Sequence, residues 1–144
     1  MKKRDPNFKK IEERLRFYST IKTKIKLCDL KIEEVENEFL KQRNEIYEGS
    51  DFGSDEADDK LNEALFEKNK KIDNLTYEKN KLLIEKRNIE TVLMYLTDTE
   101  RKVIELKYFK RKSWVYISSK ILKKSVDSCY RYRNSSFDKL KIFL

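Results

Sequence analysis

The feature that most constrains this chain is a seven-residue repeat of apolar side chains. In the first stretch of the chain one series is Ile11, Tyr18, Ile25, Ile32, Phe39 and Ile46. The second series, three residues further on, is Arg14, Ile21, Cys28, Val35 and Gln42. A repeat sustained over more than five heptads predicts a long helix with a narrow coiled-coil seam. The chain holds only two glycines and one proline in 144 residues, so few points interrupt a helix. Within the seam, Cys28 is expected to be a small buried apolar residue and not a reactive thiol.

The repeat stops at Glu48 and resumes at Leu61. Residues 49–56 contain both glycines together with Ser and Asp, which is typical of a loop. The second stretch again has two series, which are Leu61, Lys68, Leu75, Leu82, Ile89 and Leu96, and Leu65, Ile72, Lys79, Lys86 and Leu93. Two matched arms joined by a short loop predict an antiparallel coiled-coil helical hairpin over residues 1–96.

A parallel dimer of these helices, with the loop as a bulge, is the alternative arrangement. In either case apolar residues remain outside the seam. We therefore expect the hairpin to act as an oligomerisation arm that makes a homodimer. The residues concerned are Leu15, Phe17, Leu27, Leu30, Leu40, Phe66, Tyr77, Leu83 and Met94.

Residues 97–144 predict three short helices, each opened by a capping residue. Thr97 and Glu100 have the spacing of a capping box, and Ser113 and Ser125 each precede a further helical segment. Lys123 and Lys124 lie in the turn before the last helix. The expected fold is therefore all-α: a long antiparallel coiled-coil hairpin followed by a small three-helix domain with a helix-turn-helix.

The net charge of +8 is concentrated in this last segment. Residues 97–144 hold 13 Lys and Arg against 5 Asp and Glu, whereas residues 1–96 sum to zero. Such a concentration is what a phosphate-binding surface needs, although a solvated basic face has the same composition. The chain has no histidine and only two distant cysteines, which excludes a Cys/His zinc site, a Ser-His-Asp triad and a disulfide framework. We expect no enzymatic activity, no cofactor and no metal.

No run of about 18 apolar residues occurs, so no membrane partner is expected. The basic start Met1-Lys2-Lys3-Arg4 is followed by polar residues instead of the apolar core of a signal peptide. These observations predict a cytoplasmic protein.

The motifs of the last third resemble a known family. They are L-T-x-x-E-R-x-V-I-x-L-x-Y from Leu96, W-x-x-I-S from Trp114, S-x-x-x-C-Y-R-Y-R from Ser125, and F-x-K-L from Phe137. The segment is similar to the region 4 helix-turn-helix of sigma-70-type factors, and more closely to phage late-gene transcriptional regulators of the ArpU type. Residues 117–125 are one residue longer than the sigma pattern. Nothing resembles a promoter-melting region, so promoter opening by this chain alone is not expected.

The resemblance implies double-stranded DNA as a partner in a bacterial host cell, with RNA polymerase as a further candidate. It implies that the start of the last helix faces DNA, while Cys129 and Tyr132 are buried. The chemistry of the side chains agrees, since arginine pairs with guanine, aspartate accepts from cytosine and valine can touch a thymine methyl. Tyr130 is left open between base contact and core packing, and Trp114 is expected to anchor the core. The candidate base-reading residues are Val126, Asp127, Ser128, Tyr130 and Arg131.

A second set of residues is placed to hold phosphates, which positions a protein on DNA without reading its sequence. These residues are Lys112, Ser113, Lys120, Lys123, Lys124, Ser125 and Arg133. The sequence thus favours a DNA-binding transcriptional regulator. Two alternatives remain. The first is a DNA-packaging component like a small terminase subunit, which a ring of many subunits would support. The second is a structural coiled-coil adaptor, which failure to bind duplex DNA would support.

Overall fold

A computed structural model of the chain describes residues 5–49 and 54–144, and this part is all-α, as the sequence predicts. Two long helices come first, α1 (Pro6–Glu48) and α2 (Ser54–Leu93). Helix α3 covers Asp98–Ile104 and continues over Glu105–Phe109 with the wider turns of a π-helix. Helix α4 covers Trp114–Tyr116 and continues over Ile117–Leu122 in the same way, and α5 covers Val126–Phe143.

The chain forms two compact units. The arm unit is Thr23–Leu83, and the core unit consists of the described residues up to Lys22 together with Ile84–Leu144. The boundary expected from the sequence lies instead at residue 97. The two divisions differ because a heptad pattern identifies a helix and its seam, but does not show what covers the ends of that helix.

In the arm unit the two helices run antiparallel, which confirms the predicted hairpin. Lys79 of α2 forms an ion pair of 2.6 Å with Asp29 of α1, and Lys68 lies 4.7 Å from the ring centroid of Phe39. Residues later in α1 therefore meet residues earlier in α2. The seam is shallow, since Cys28 is the one buried side chain among the described residues of this unit.

The loop predicted at residues 49–56 is shorter in the structure. Helix α1 ends at Glu48 as expected, but α2 already begins at Ser54. Asp55 and Glu56 lie in its first turn, where the helix dipole favours negative charge. Residues 50–53 lie outside the described part of the chain. A second departure is Leu65, a predicted seam residue that is 38% exposed, while its neighbour Ala64 is half-buried.

In the core unit the ends of the long helices pack with the short ones. A single cluster of buried side chains joins α1, α2, the turn after α2, α3 and α5. Phe137 of α5 is fully buried, and its ring lies against Phe8 at 5.1 Å and Tyr108 at 5.7 Å. The members of this cluster are Ile11, Leu15, Ile89, Val92, Leu93, Leu96, Ile104, Tyr108, Phe137 and Leu140.

A smaller cluster holds α4 and α5 against the end of α3. Leu106, Ile117 and Cys129 form its buried centre, and Trp114, Ile121 and Leu122 pack around them. The core unit therefore packs α4 and α5 against the end of α3, and the outward-facing residues of these two helices form the candidate interface.

Candidate nucleic-acid interface

Capping side chains fix where α3, α4 and α5 begin. The Thr97 hydroxyl accepts from the Glu100 amide and the Glu100 carboxylate accepts from the Thr97 amide, so the predicted capping box is confirmed. The Ser113 hydroxyl accepts from the Tyr116 amide, and the Ser125 hydroxyl accepts from the Ser128 amide. Each cap satisfies an amide that the first turn of a helix leaves without a partner.

The turn between α4 and α5 depends on Lys123. This residue has a φ of 51° and a left-handed conformation, and the next amide, of Lys124, donates to the carbonyl of Ser118. In the π-helical turns of Ile117–Leu122 each hydrogen bond spans five residues instead of four, so this segment holds more residues per turn than an α-helix. The widened geometry falls within residues 117–125, where the sequence has one residue more than the sigma-type pattern that it resembles.

The five candidate base-reading residues lie at the start of α5 but differ in exposure. Asp127 and Arg131 are exposed, and their spacing of four residues sets them on one face of the helix. Val126, Ser128 and Tyr130 are half-buried. The Ser128 hydroxyl also lies 3.0 Å from the hydroxyl of Ser125. Asp127 and Arg131 are therefore the two candidates whose side chains are most accessible to a ligand.

A stack of aromatic rings and cations flanks this face. The Tyr130 ring meets Trp114 edge-on at 5.0 Å, and the Arg133 guanidinium lies 5.2 Å from the Tyr130 ring centroid and 5.7 Å from that of Trp114. Lys107 sits over the Trp114 ring at 5.0 Å. The predicted role of Trp114 as an anchor of the core is consistent with this packing. Tyr130 packs against Trp114 yet remains half-exposed.

Other basic residues also rest on aromatic rings. Lys112 lies 5.2 Å from the ring centroid of Tyr116, and Lys124 donates to the Tyr132 hydroxyl at 2.8 Å. Contacts between a cation and a ring restrict a long side chain that would otherwise sample many rotamers. The ammonium groups are thereby held near the surface of α4 and α5.

The remaining phosphate candidates are accessible. Lys120, Lys123, Ser113 and Ser125 are all exposed, as are Lys112 and Lys124. Arg133 is the exception, since it is half-buried and also donates to the Asn134 side-chain oxygen at 3.1 and 3.2 Å. Its guanidinium has fewer free donors than the lysines, and it is better suited to support Tyr130 than to reach far outward.

The orientation of α5 is fixed by the buried carboxylate of Glu100. Its oxygens accept hydrogen bonds from Ser135 at 2.7 Å and Lys139 at 2.6 Å, in addition to the capping contact with Thr97. Burial opposes the charge, but the hydrogen bonds from Lys139, Thr97 and Ser135 outweigh it and lower the pKa of Glu100 from about 4.5 to about 2. One carboxylate thus fastens the start of α3 to the middle of α5.

Cys129 lies on the inward side of α5, where its thiol is shielded from solvent. Cys129 is fully buried, as expected, and burial raises the pKa of its thiol above the ordinary value. Tyr132, expected to be buried, is half-buried instead and carries the contact with Lys124 at its hydroxyl. A tyrosine tolerates this position because its ring can pack while its hydroxyl reaches water.

No family model, curated protein or solved structure matches this chain. Within residues 5–49 and 54–144, no group of three or more His, Cys, Asp or Glu is arranged to hold a metal ion. None of the helices in this part of the chain is long and apolar enough to cross a membrane.

Three residues of this surface escaped the sequence analysis. Asn134 is exposed one turn beyond Arg131 on the same face of α5, and asparagine is a residue type that pairs with adenine. Tyr116 and Lys107 complete the contacts between cations and rings. Lys112 precedes the start of α4, so no helical spacing rule relates it to Tyr116 and the sequence offers no signal for this contact.

Proposed function

We propose that this protein is a sequence-specific, DNA-binding transcriptional regulator that uses α4 and α5 as its helix-turn-helix. The observation that carries the proposal is the exposed face at the start of α5, where Asp127 and Arg131 stand among six exposed candidate phosphate-binding residues. A surface of this kind can offer hydrogen bonds to base edges while its cations hold the backbone. It needs neither a cofactor nor enzymatic activity.

In this mechanism the N-terminal half of α5 enters the major groove. Arg131 donates two hydrogen bonds to a guanine, and Asp127 accepts from a cytosine, which gives sequence preference. Lys120, Lys123 and Lys124 contact phosphates, assisted by Lys112 and the amides beside Ser113 and Ser125. Glu100 stabilises the orientation of α5 because its carboxylate accepts hydrogen bonds from Ser135 and Lys139.

The biological setting follows from the resemblance to phage regulators of the ArpU type. We propose a late-gene activator of phage or prophage origin that acts at a promoter with RNA polymerase in the cytoplasm of a bacterial host. A homodimer formed through the arm unit would supply two recognition helices, as pseudo-palindromic operators require.

The test compares a base-reading variant with a phosphate-binding variant. Arg131→Ala is expected to weaken binding to a selected operator duplex by about 1–3 kcal/mol and to relax preference at one base pair. Lys123→Gly removes a charge while keeping the positive φ of the turn, because glycine adopts that conformation readily. This variant should weaken binding to every duplex alike and flatten the salt dependence.

Titrations of duplexes from the DNA that neighbours the gene, and of a scrambled control, measure both effects at two salt concentrations. Arg87→Ala, which removes an exposed charge from α2 outside the arm unit and outside α4 and α5, is the matched control and should bind as the wild type does. Equal losses for Arg131→Ala on operator and scrambled DNA would refute base reading. Failure of the wild type to bind any duplex at low salt would refute the proposal as a whole.

A further inference from the structure

The arm unit exposes a row of large apolar side chains on the outer side of α1. Leu27 is 49% exposed, Leu30 53%, Leu40 43% and Tyr47 55%. In the heptad register of the seam these four residues occupy the three positions farthest from α2. We call them the outer stripe. Side chains of this size on one solvent-facing side of a helix are typical of a surface that another helix covers.

The outer side of α2 is a weaker candidate. Its large exposed residues in this unit are Phe66, Tyr77 and Leu83, and the first two are eleven residues apart. The Tyr77 ring is already covered by Lys81, whose ammonium lies 4.8 Å from the ring centroid. The outer side of α1 therefore presents four large exposed apolar side chains, against three on the outer side of α2, of which one is covered by a lysine.

Charge indicates what covers the outer stripe. Residues 33–67, which we call the tip segment, hold 13 Asp and Glu against 3 Lys and Arg, a net charge of −10. Every acidic side chain that the structure describes in the tip segment is exposed. The rest of the arm unit, residues 23–32 and 68–83, holds 8 Lys against 3 Asp and Glu, a net charge of +5. Although the net charge of residues 1–96 is zero, the charges are therefore distributed unevenly along the arm unit.

We propose that a second copy of this chain covers the outer stripe, and that the two arm units lie antiparallel. A parallel pair would set one tip segment of −10 beside the other, and Coulomb repulsion would oppose it. An antiparallel pair sets the outer part of each tip segment, beyond residue 41, beside the basic residues 23–32 of its partner, and it satisfies the two-fold symmetry of a homodimer. This inference deepens the homodimer in the proposed function and rests on it.

One register of the antiparallel pair both buries apolar residues of the outer stripe and pairs opposite charges. If the two-fold axis passes near Asn37, Lys31 faces Glu45 of the second copy and Lys41 faces Glu34, and each pair occurs twice. Leu30 and Leu40 then lie within the shared surface. The outer stripe supplies burial, and the flanking charges determine the direction, as charged positions beside a coiled-coil seam do.

The direction can be determined from a mixture of two variants that each carry one added cysteine. In the proposed register Leu30 faces Asn44 of the second copy, while the two Leu30 residues are about 21 Å apart along the helices at 1.5 Å per residue. A cross-linker with a short spacer should therefore join Leu30→Cys to Asn44→Cys in the mixture. Neither variant alone should cross-link. The native Cys28 and Cys129 are buried, and the wild-type chain under the same conditions shows their background.

Asn37→Cys is the positive control for association, since it lies near the axis and should cross-link to itself. If Leu30→Cys alone cross-links as strongly as the mixture, the arms are parallel and the proposal is overturned. A monomeric mass by light scattering at all concentrations, with no cross-link from Asn37→Cys, also overturns it. Neither outcome involves DNA, so the duplex titrations decide the proposed function separately.

Two further measurements test the surface itself. Leu30→Glu and Leu40→Glu should each raise the dimer dissociation constant by about tenfold or more, because a charge would be buried against the second copy. Phe66→Glu, on the outer side of α2, is the matched control and should leave the constant unchanged. Added salt should weaken an antiparallel dimer by screening its attractions, whereas a parallel dimer would become tighter.

Discussion

The arm unit and the core unit differ sharply in how much they bury. Of the twenty buried residues in the described part of the chain, nineteen belong to the core unit, and Cys28 alone belongs to the arm unit. Both units contain segments of α1 and α2 with the same heptad repeat. The difference therefore does not arise from the presence of the repeat, which runs through both units.

What differs is the number of elements that pack on the long helices. In the core unit α3 and α5 add a further layer over residues such as Leu15 and Ile89, which are fully buried. In the arm unit each helix has only the other helix, so equivalent seam residues remain half-buried. A two-helix hairpin buries one narrow face, and its stability depends on a partner or on connection to a larger core.

The largest expected effect compares two phenylalanines. Phe137→Ala should destabilise the core unit by about 3–5 kcal/mol, because it leaves a cavity in a fully buried cluster. Phe39→Ala in the arm unit should cost about 1 kcal/mol, because its ring is half-buried and can be replaced by water. Urea unfolding followed by circular dichroism measures both losses.

Trp114 fluorescence sharpens this comparison, since the chain has a single tryptophan and it lies in the core unit. Phe137→Ala should shift the fluorescence transition, and Phe39→Ala should shift mainly the helical signal. Equal losses for the two variants, or coincident transitions in both, would mean that the units unfold as one and that the contrast in burial has no energetic counterpart.

The second prediction concerns the buried carboxylate of Glu100, which has no counterpart among the described residues of the arm unit. Glu100 is 3% exposed, whereas every described Asp and Glu of the arm unit is exposed. Its pKa is about 2 in the folded protein against an ordinary value near 4.5, which corresponds to about 3 kcal/mol of stability. Glu100→Gln should lose about that amount at pH 7, and Glu63→Gln in the arm unit should lose none.

The sign of the pH dependence follows from the lowered pKa. The unfolded chain binds a proton at Glu100 first, so the contribution is complete above about pH 4.5 and is lost progressively as the pH falls toward 2. Stability measured across this window should therefore decline less steeply in Glu100→Gln than in the wild type. An unchanged slope would show that the hydrogen bonds from Lys139 and Ser135 do not stabilise the charged form.

The sequence predicts most of the fold because its signals are local. Heptad spacing identifies α1 and α2, and the capping residues Thr97, Ser113 and Ser125 mark the starts of α3, α4 and α5 within a residue. These signals operate within one turn of a helix, so they do not depend on the rest of the chain. The end of α1 at Glu48 is predictable for the same reason.

What the sequence does not predict depends on residues far apart in the chain. The contacts of Glu100 with Ser135 and Lys139 span 35 and 39 positions, and the hydrogen bond from Tyr108 to Glu12 spans 96. No spacing rule relates such residues. The extent of the core unit is unpredictable for this reason, because the coverage of Ile11 or Ile89 depends on where α3 and α5 pack.

The candidate interface is predictable from the sequence only in part. The position of Asp127 and Arg131 on α5 follows from the helix start at Ser125, and both are exposed. The partial burial of Val126 and Tyr130, and the contact between Arg133 and Trp114, require knowledge of how α4 packs against α5. Local pattern thus identifies the residues of the surface, but tertiary packing decides which of them are accessible.

The smallest expected effect compares one ion pair from each unit. In the core unit Arg14 donates twice to Glu85, at 2.9 and 3.0 Å, and both side chains are largely shielded from water. In the arm unit Lys79 contacts Asp29 through one oxygen, and the Asp29 side chain is 51% exposed. A pair with two aligned hydrogen bonds is held more rigidly and screened less than a single exposed contact.

Double-mutant cycles should give a coupling of about 1 kcal/mol for Arg14 with Glu85 and about 0.3 kcal/mol for Lys79 with Asp29. The cycle is needed because Arg14 also donates to the Leu144 carbonyl at 3.0 Å, a contact that both Arg14 variants lose and that cancels in the coupling. Raising the salt concentration should reduce the smaller coupling to zero first. A larger coupling for Lys79 with Asp29 than for Arg14 with Glu85 would contradict this prediction. It would mean that this ion pair is more shielded from water in solution than it is in a single copy of the chain, which is the result expected if a second copy covers the arm unit.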